Sequence, residues 1–283
     1  MLTPEIAKKI NDFVYVKPRT IDEIANHIKK NWRTANRYVE SIQKHQGNLA
    51  VRVFREGTRG ALKIVYWANI ENIHSTSLQE RLFRKIEIGR TKEDFSPSEI
   101  YQYVNKNKKR LSAHTYASYV SKKNFDDFCS FLRGAQKQIS FFSGNLTWSN
   151  MAYHDKKILQ IVEELAKKNV IIKILTRVEL AGIDNIKNIL SINSKIGKEM
   201  VEVRHCYQPL RATIVDNKSA RFKEILKKQD YAKGELKEDT YLLYEILDKE
   251  WVEWLQKIFW NLFNASISAE KRIEELEIIK RSL

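Results

Sequence analysis

A chain of 283 residues with 43% hydrophobic content is long enough for about two domains and apolar enough to fill their cores, which excludes a mainly disordered protein. No run approaches the ~18 apolar residues that span a bilayer, and the opening MLTPEIAKKINDF is charged where a secretion signal needs an apolar stretch, so a cytoplasmic protein without membrane contact is expected. A formal net charge of +15 points to a polyanionic partner.

The first element, TPEIAKKINDFVYV, has Thr3 as cap, Pro4 at the first helical position, and Ile6, Ile10, Phe13 and Val14 on one face. TIDEIANHIKK follows with Thr20 and Glu23 spaced as a capping box and Ile21, Ile24, Ala25 and Ile28 turned inward. A third helix begins at Asn31, places Ala35, Val39 and Ile42 on one face, and stops at Gly47. LAVRVFRE and ALKIVYW then alternate as strands around GTRG, whose glycines suit a hairpin tip. Three helices and a basic hairpin predict a winged helix-turn-helix over residues 1–70.

RTANRYVESI resembles the recognition helices of winged-helix proteins in its Thr-small-x-Arg-x-aliphatic-x-x-aliphatic spacing. The resemblance implies that the third helix enters the major groove of double-stranded DNA and that the wing touches phosphate or the minor groove. The DNA-binding candidates are Arg33, Thr34, Asn36, Arg37 and Lys44 on the helix, and Arg52, Arg55, Arg59 and Lys63 on the wing. Each has the competing reading of a solvated surface side chain. Trp32 is expected to pack on the helix pair.

Residues 71–123 read as a helical middle segment. SLQERLFRKIEIG carries helical spacing, SPSEIYQYVNKNKKRL offers a capping box from Ser96 to Glu99, and SAHTYASYVSKK offers a helix capped by Ser112. A linker or dimerising region and a second helix-turn-helix, supported by the basic run Lys106–Arg110, both remain open. Basic residues concentrate toward the N-terminus: 13 Lys/Arg against 6 Asp/Glu in residues 1–67, 13 against 8 in 68–137, and 24 against 21 in 138–283.

From residue 124 helix and strand alternate, with ISFF and VIIKIL as strands covered on both faces, so residues 124–264 are expected to form an α/β sheet domain, followed by an amphipathic helix over 265–283. The aromatics Trp251, Trp254, Phe259, Trp260 and Phe263 recur at helical spacing, read as a core or dimer face. Cys129 and Cys206 belong to no metal or disulfide pattern, and buried free thiols are expected.

The order strand, helix, VIIKIL, helix, VEVRH, PLRATIVDNKSAR and a late strand before an aromatic helix resembles a phospholipase D-like domain. Joined to a winged helix, it is similar to archaeal regulators of the TrmB type. The resemblance brings the phospholipase D signature His-x-Lys-x-x-x-x-Asp into question: on RATIVDNK those positions hold Arg211, Thr213 and Lys218. HDK at His154–Lys156 imitates its start, but Ile161 stands at the acidic position and the segment reads as the opening of a helix. Without a His nucleophile and a His general acid, no enzyme activity is expected, and no cofactor or metal. Arg204, His205 and Arg211 bracket the CYQPL turn as a candidate site for an anionic or polyhydroxylated small-molecule effector, or as ion-pair partners. The expectation is a nucleoid-associated, homodimeric transcriptional regulator with a non-catalytic sensor or dimerisation domain. The alternative is an architectural, largely nonspecific DNA-coating protein, with a phospholipase D-family nuclease a distant third.

Overall fold

Thr3 caps the first helix as its position predicts: its Oγ1 accepts from the Ile6 N–H at 3.3 Å, and Pro4 opens α1 (Pro4–Val16). The computed structural model describes residues 2–46, 49–54, 62–67, 76–231 and 236–282. The chain divides into two units, residues 1–74 and 75–283.

In the first unit, α1 is followed by β1 (Arg19–Thr20), α2 (Ile21–His27), α3 (Trp32–Gln46), β2 (Leu49–Phe54) and β3 (Leu62–Trp67). The capping box of α2 is complete, with Thr20 N–H to Glu23 Oε2 at 2.8 Å and Glu23 N–H to Thr20 Oγ1 at 3.1 Å. The turn between α2 and α3 closes with Lys30 N–H on Ala25 O at 2.9 Å and Lys29 N–H on Asn26 O at 3.2 Å. That bond pair forces Lys29 into the left-handed region (φ 54°), where glycine is the usual occupant. The strands run in the order β1-β3-β2, and the core holds Ile10, Ile24, Ala35, Val39, Ile42 and Val65, each essentially without solvent exposure. This is the winged helix-turn-helix predicted; the GTRG tip lies outside the described residues.

The second unit begins with α4 (Ser77–Ile88), α5 (Ser98–Tyr101), β4 (Lys109–His114), α6 (Tyr116–Tyr119) and α7 (Lys122–Arg133). It continues through β5 (Gln138–Phe142), β6 (Ala152–Tyr153), β7 (Lys156–Lys157), α8 (Ile158–Lys167), β8 (Ile171–Thr176), α9 (Ile183–Ile196) and β9 (Val201–His205). It ends with β10 (Ala212–Val215), β11 (Ser219–Leu226), β12 (Thr240–Ile246), α10 (Lys249–Ala265), β13 (Ile267–Ser268) and α11 (Ala269–Ser282). Among the described residues, eight strands form one mixed sheet in the order β13-β9-β8-β5-β10-β11-β12-β4, with β5, β8 and β9 parallel and the remaining pairs antiparallel. Among the described residues, no helix is long and apolar enough to cross a membrane.

Both faces of the sheet are covered, which is why all five residues of β5 are buried. Ile139 and Phe141 face a core built with α7, α8 and α9, where Leu132, Val162 and Ile189 are fully buried. Ser140 and Phe142 alternate to the other face and meet α10: Gln256 Nε2 donates to Ser140 Oγ at 3.0 Å, and Phe142 meets Phe259 edge-on at 5.3 Å. The aromatic stripe Trp251, Trp254, Phe259, Trp260 and Phe263 is thus core. The Asp216 turn is a second anchor. Asp216 and Asn217 take left-handed φ values (51° and 56°), and the Asp216 carboxylate accepts from the backbone N–H of Gln136, Lys137 and Gln138 at 2.7–2.9 Å.

Several expected elements differ. The helix expected from Ser112 is replaced by β4, which pairs with β12 in the register Leu111↔Tyr244. The caps that operate are Thr115, on the Ser118 N–H at 3.3 Å, and Ser121, on the Asn124 N–H at 3.5 Å. Tertiary pairing with a distant edge overrides the local helix signal. The Ser96–Glu99 box is not formed, because Glu99 goes instead to Lys85 Nζ at 2.6 Å, and α5 is a single turn. His154 and Asp155 of HDK form the β6–β7 hairpin turn, with His154 at φ 51°, Lys156 opens β7, and α8 starts only at Ile158.

Candidate functional site

The exposed side of α3 is prepared by its N-terminus. Asn31 Oδ1 accepts from the Thr34 N–H at 2.8 Å, and the Ala35–Val39–Ile42 face is sunk in the core, so rotation of the helix is fixed. Arg33 and Arg37, four residues apart, emerge exposed on the surface, neither in an ion pair among the described residues. The Arg37 guanidinium lies 5.8 Å from the Tyr38 ring, while Thr34 is half-buried.

Asn36 is placed differently from its neighbours. Its Nδ2 donates to Glu40 Oε1 at 2.7 Å and its Oδ1 accepts from Lys63 Nζ at 2.8 Å. Lys63 also approaches Glu40 at 3.5 Å and stands 5.6 Å over the Trp32 ring. This cluster ties β3 to α3, so Asn36 and Lys63 set the angle between helix and wing. Trp32 is 39% exposed beneath Lys63. Glu40 was not among the sequence candidates; its spacing of four from Asn36 is the one signal that points to it. Lys44 lies in α3 and Arg52 in β2, but their side chains, like Arg55 and Arg59 altogether, are outside the described residues.

In the second unit the structure does not bring Arg204 and Arg211 together. Arg204 is in β9 and Arg211 immediately precedes β10, and β8 and β5 run between those strands. Three strand spacings separate them by about 14 Å. Arg204 takes the ion-pair role: Nε donates to Glu202 Oε1 at 2.8 Å, Nη1 donates to Phe263 O at 2.9 Å and Ser266 O at 3.3 Å, and the guanidinium stacks 4.5 Å over the Phe263 ring. Glu202 is also paired with Lys173. Burial works to raise the Glu202 carboxyl, but Lys173 and Arg204 outweigh it and hold the group below its ordinary value.

His205 Nδ1 accepts from the Val178 N–H at 2.9 Å, and its ring meets Tyr207 edge-on at 5.0 Å. Burial depresses its pKa, with Arg272 adding to the effect, which favours neutral imidazole. His154 meets the Tyr153 ring edge-on at 4.5 Å in its hairpin turn. Both cysteines are free, and burial pushes both thiols up.

Arg211 opens instead onto a cavity of about 1290 Å³. Its guanidinium lies against Gly144, where a Cβ would sit 2.8 Å from Nη2, so glycine permits the close approach. Nη1 donates to Leu210 O at 2.7 Å and Gln208 O at 3.3 Å. Burial, with Arg177 nearby, lowers the Arg211 pKa to about 10. The positions of the phospholipase D signature on this strand hold Arg211, Thr213 and Lys218, so the histidine nucleophile of that signature is not among them.

No family model and no curated protein matches the chain. Among the solved structures similar to it are the following two. One is a phospholipase D family member, Nuc from Salmonella typhimurium, 14% identical, covering 56% of this chain and 97% of that one, with a TM-score of 0.41. The other is TrmBL2, described as an archaeal chromatin protein with a novel mode of DNA binding, 16% identical, covering 94% of each chain, with a TM-score of 0.39.

Proposed function

We propose that the chain is a sequence-specific, double-stranded-DNA-binding transcriptional regulator of the cytoplasmic nucleoid, acting as a homodimer, with residues 75–283 as a non-catalytic sensor or dimerisation domain. The observation that carries this reading is α3: two arginines with no ion pair among the described residues stand one turn apart on a helix whose rotation and wing angle are both held by side-chain contacts. An arginine in the major groove can donate two hydrogen bonds to guanine O6 and N7, and fixed orientation converts that capacity into base preference. A dimer doubles the site and so multiplies affinity. The second unit lacks a histidine pair in a catalytic frame, which supports a sensing rather than a hydrolytic role.

Duplex binding by fluorescence anisotropy, on a selected site and on random DNA across a salt series, tests the reading. Arg37→Ala is expected to weaken the selected site by about 1–3 kcal/mol and relax preference at one base position. Equal affinity for both duplexes with the same steep salt slope would instead make the protein an architectural DNA-coating one.

A further inference from the structure

The cavity beside Arg211 contains more positive charge than its own acids neutralise. Lys223 lies across from Arg211, its N–H bonded to Arg211 O at 3.0 Å, and Arg177 follows β8 on the third side. All three side chains line the cavity. Among the described residues, Lys223 Nζ reaches the Tyr119 hydroxyl at 3.3 Å and no carboxylate, and Arg211 donates to backbone carbonyls alone. Arg177 has Glu179 at 3.8 Å, but its Nε is buried without an acceptor.

A fourth cation on the same wall shows the contrast. Arg221 is neutralised twice, by Asp127 at 2.6 Å and by Glu245 at 2.8 Å. Of the acids nearer the cluster, Glu224 accepts the Tyr244 hydroxyl at 2.6 Å, and Glu93 opposes the Arg211 charge only as the smallest of its influences. Burial depresses the Lys223 pKa and the Arg211 charge depresses it further, so the cluster is held against both desolvation and mutual repulsion. Uncompensated, partly buried cations weaken a fold, and such perturbed groups concentrate where a ligand supplies the missing charge.

We propose that this cavity binds a small organic phosphate monoester, its phosphate held by Arg177, Arg211 and Lys223 and its organic body lying against Tyr119 and Trp148. The inference rests on the reading of residues 75–283 as a sensor and gives the chemical class of what is sensed. A monoester carries close to two negative charges near pH 7 and three acceptor oxygens, matching two guanidinium forks and an ammonium better than a single carboxylate does. A volume of about 1290 Å³ leaves room for a body well beyond the phosphate. Binding breaks no bond, and the ligand leaves as it came.

The test is calorimetric titration of the full chain, without DNA, with inorganic phosphate and with phenyl phosphate, at ionic strength held constant with sodium chloride. Saturable binding is expected for both, tighter for phenyl phosphate. Lys223→Met should weaken it at least tenfold and Lys223→Arg should retain it. The melting temperature of ligand-free Lys223→Met should equal or exceed that of the unaltered chain, since repulsion is relieved; a purely structural lysine would lower it. Arg177→Met provides a second, independent loss, and Arg37→Ala should leave phosphate binding intact, so failure here and failure of DNA recognition read separately. Absence of saturable heat from folded protein, or binding unchanged in both methionine variants, overturns the proposal. So does a lowered DNA salt slope in Lys223→Met, which would make Lys223 a contact to DNA phosphate.

Discussion

Replacing Glu202 by Gln removes the only carboxylate paired with Lys173, while Arg204 keeps its bonds to Phe263 O and Ser266 O among the described residues. The damage therefore falls on Lys173, a strand residue whose side chain is 10% exposed. Breaking a buried pair by removing one partner costs about 3–5 kcal/mol. Glu202 itself is 37% exposed, so solvent screens part of the interaction and about 2–3 kcal/mol is the expected loss. For a unit of this size that is a fall of roughly 5–10 °C in Tm by differential scanning calorimetry, in the transition of residues 75–283.

The pH dependence gives an internal control. Because the folded carboxyl is held below its ordinary value near 4.5, its contribution is fully present above that pH and is lost as pH falls through the lower folded-state value. The wild-type and Glu202→Gln stabilities should converge in acid. Adding Lys173→Met to Glu202→Gln should recover most of the loss, since the stranded charge goes with it. A Tm within 1 °C of wild type at neutral pH, or a gap that persists unchanged into acid, would refute the reasoning.

Lys29→Gly, at the left-handed position closing α2, should raise the stability of the first unit by about 1 kcal/mol in thermal melts; a decrease would mean that the Lys29 side chain contributes more than its backbone costs. Asn36→Ala should loosen the hold of α3 on Lys63, leaving it Glu40 at 3.5 Å, and blunt base preference more than total affinity, read as a reduced ratio of selected-site to random-DNA binding at unchanged salt slope. His205→Ala should leave any phosphodiesterase background in purified protein untouched, because the ring serves the Val178 N–H; metal-independent cleavage that disappears in this variant would restore an enzymatic reading.

What the sequence shows depends on how far apart the partners lie. The capping box of α2 is legible because Thr20 and Glu23 are three residues apart, and the inward face of α3 because Ala35, Val39 and Ile42 repeat at helical spacing. The strand β4 is not, since its identity comes from β12, some 130 residues later, whereas its own Ser-Ala-His-Thr looks like a helix start. Arg204 and Arg211 look like a pair because they lie only seven positions apart. The sheet order inserts two strands between them and makes Arg177 and Lys223 the true neighbours of Arg211. Three elements converging on one point leave no spacing to read.

The strand order of the large sheet also bears on how a ribosome delivers it. The earliest strand of the second unit, β4, and the last, β13, occupy opposite edges. As the chain emerges, β4 has no partner until β12 is made, and at ~5–20 residues per second that interval lasts several seconds to nearly half a minute. The winged helix is a compact unit within residues 1–74, so it can fold while this goes on. A nascent chain would then carry a finished winged-helix head ahead of a sheet that still has open edges. Charged residues on β4, Lys109 and Arg110, are the kind of side chain that keeps such an edge from pairing with a neighbour while it waits.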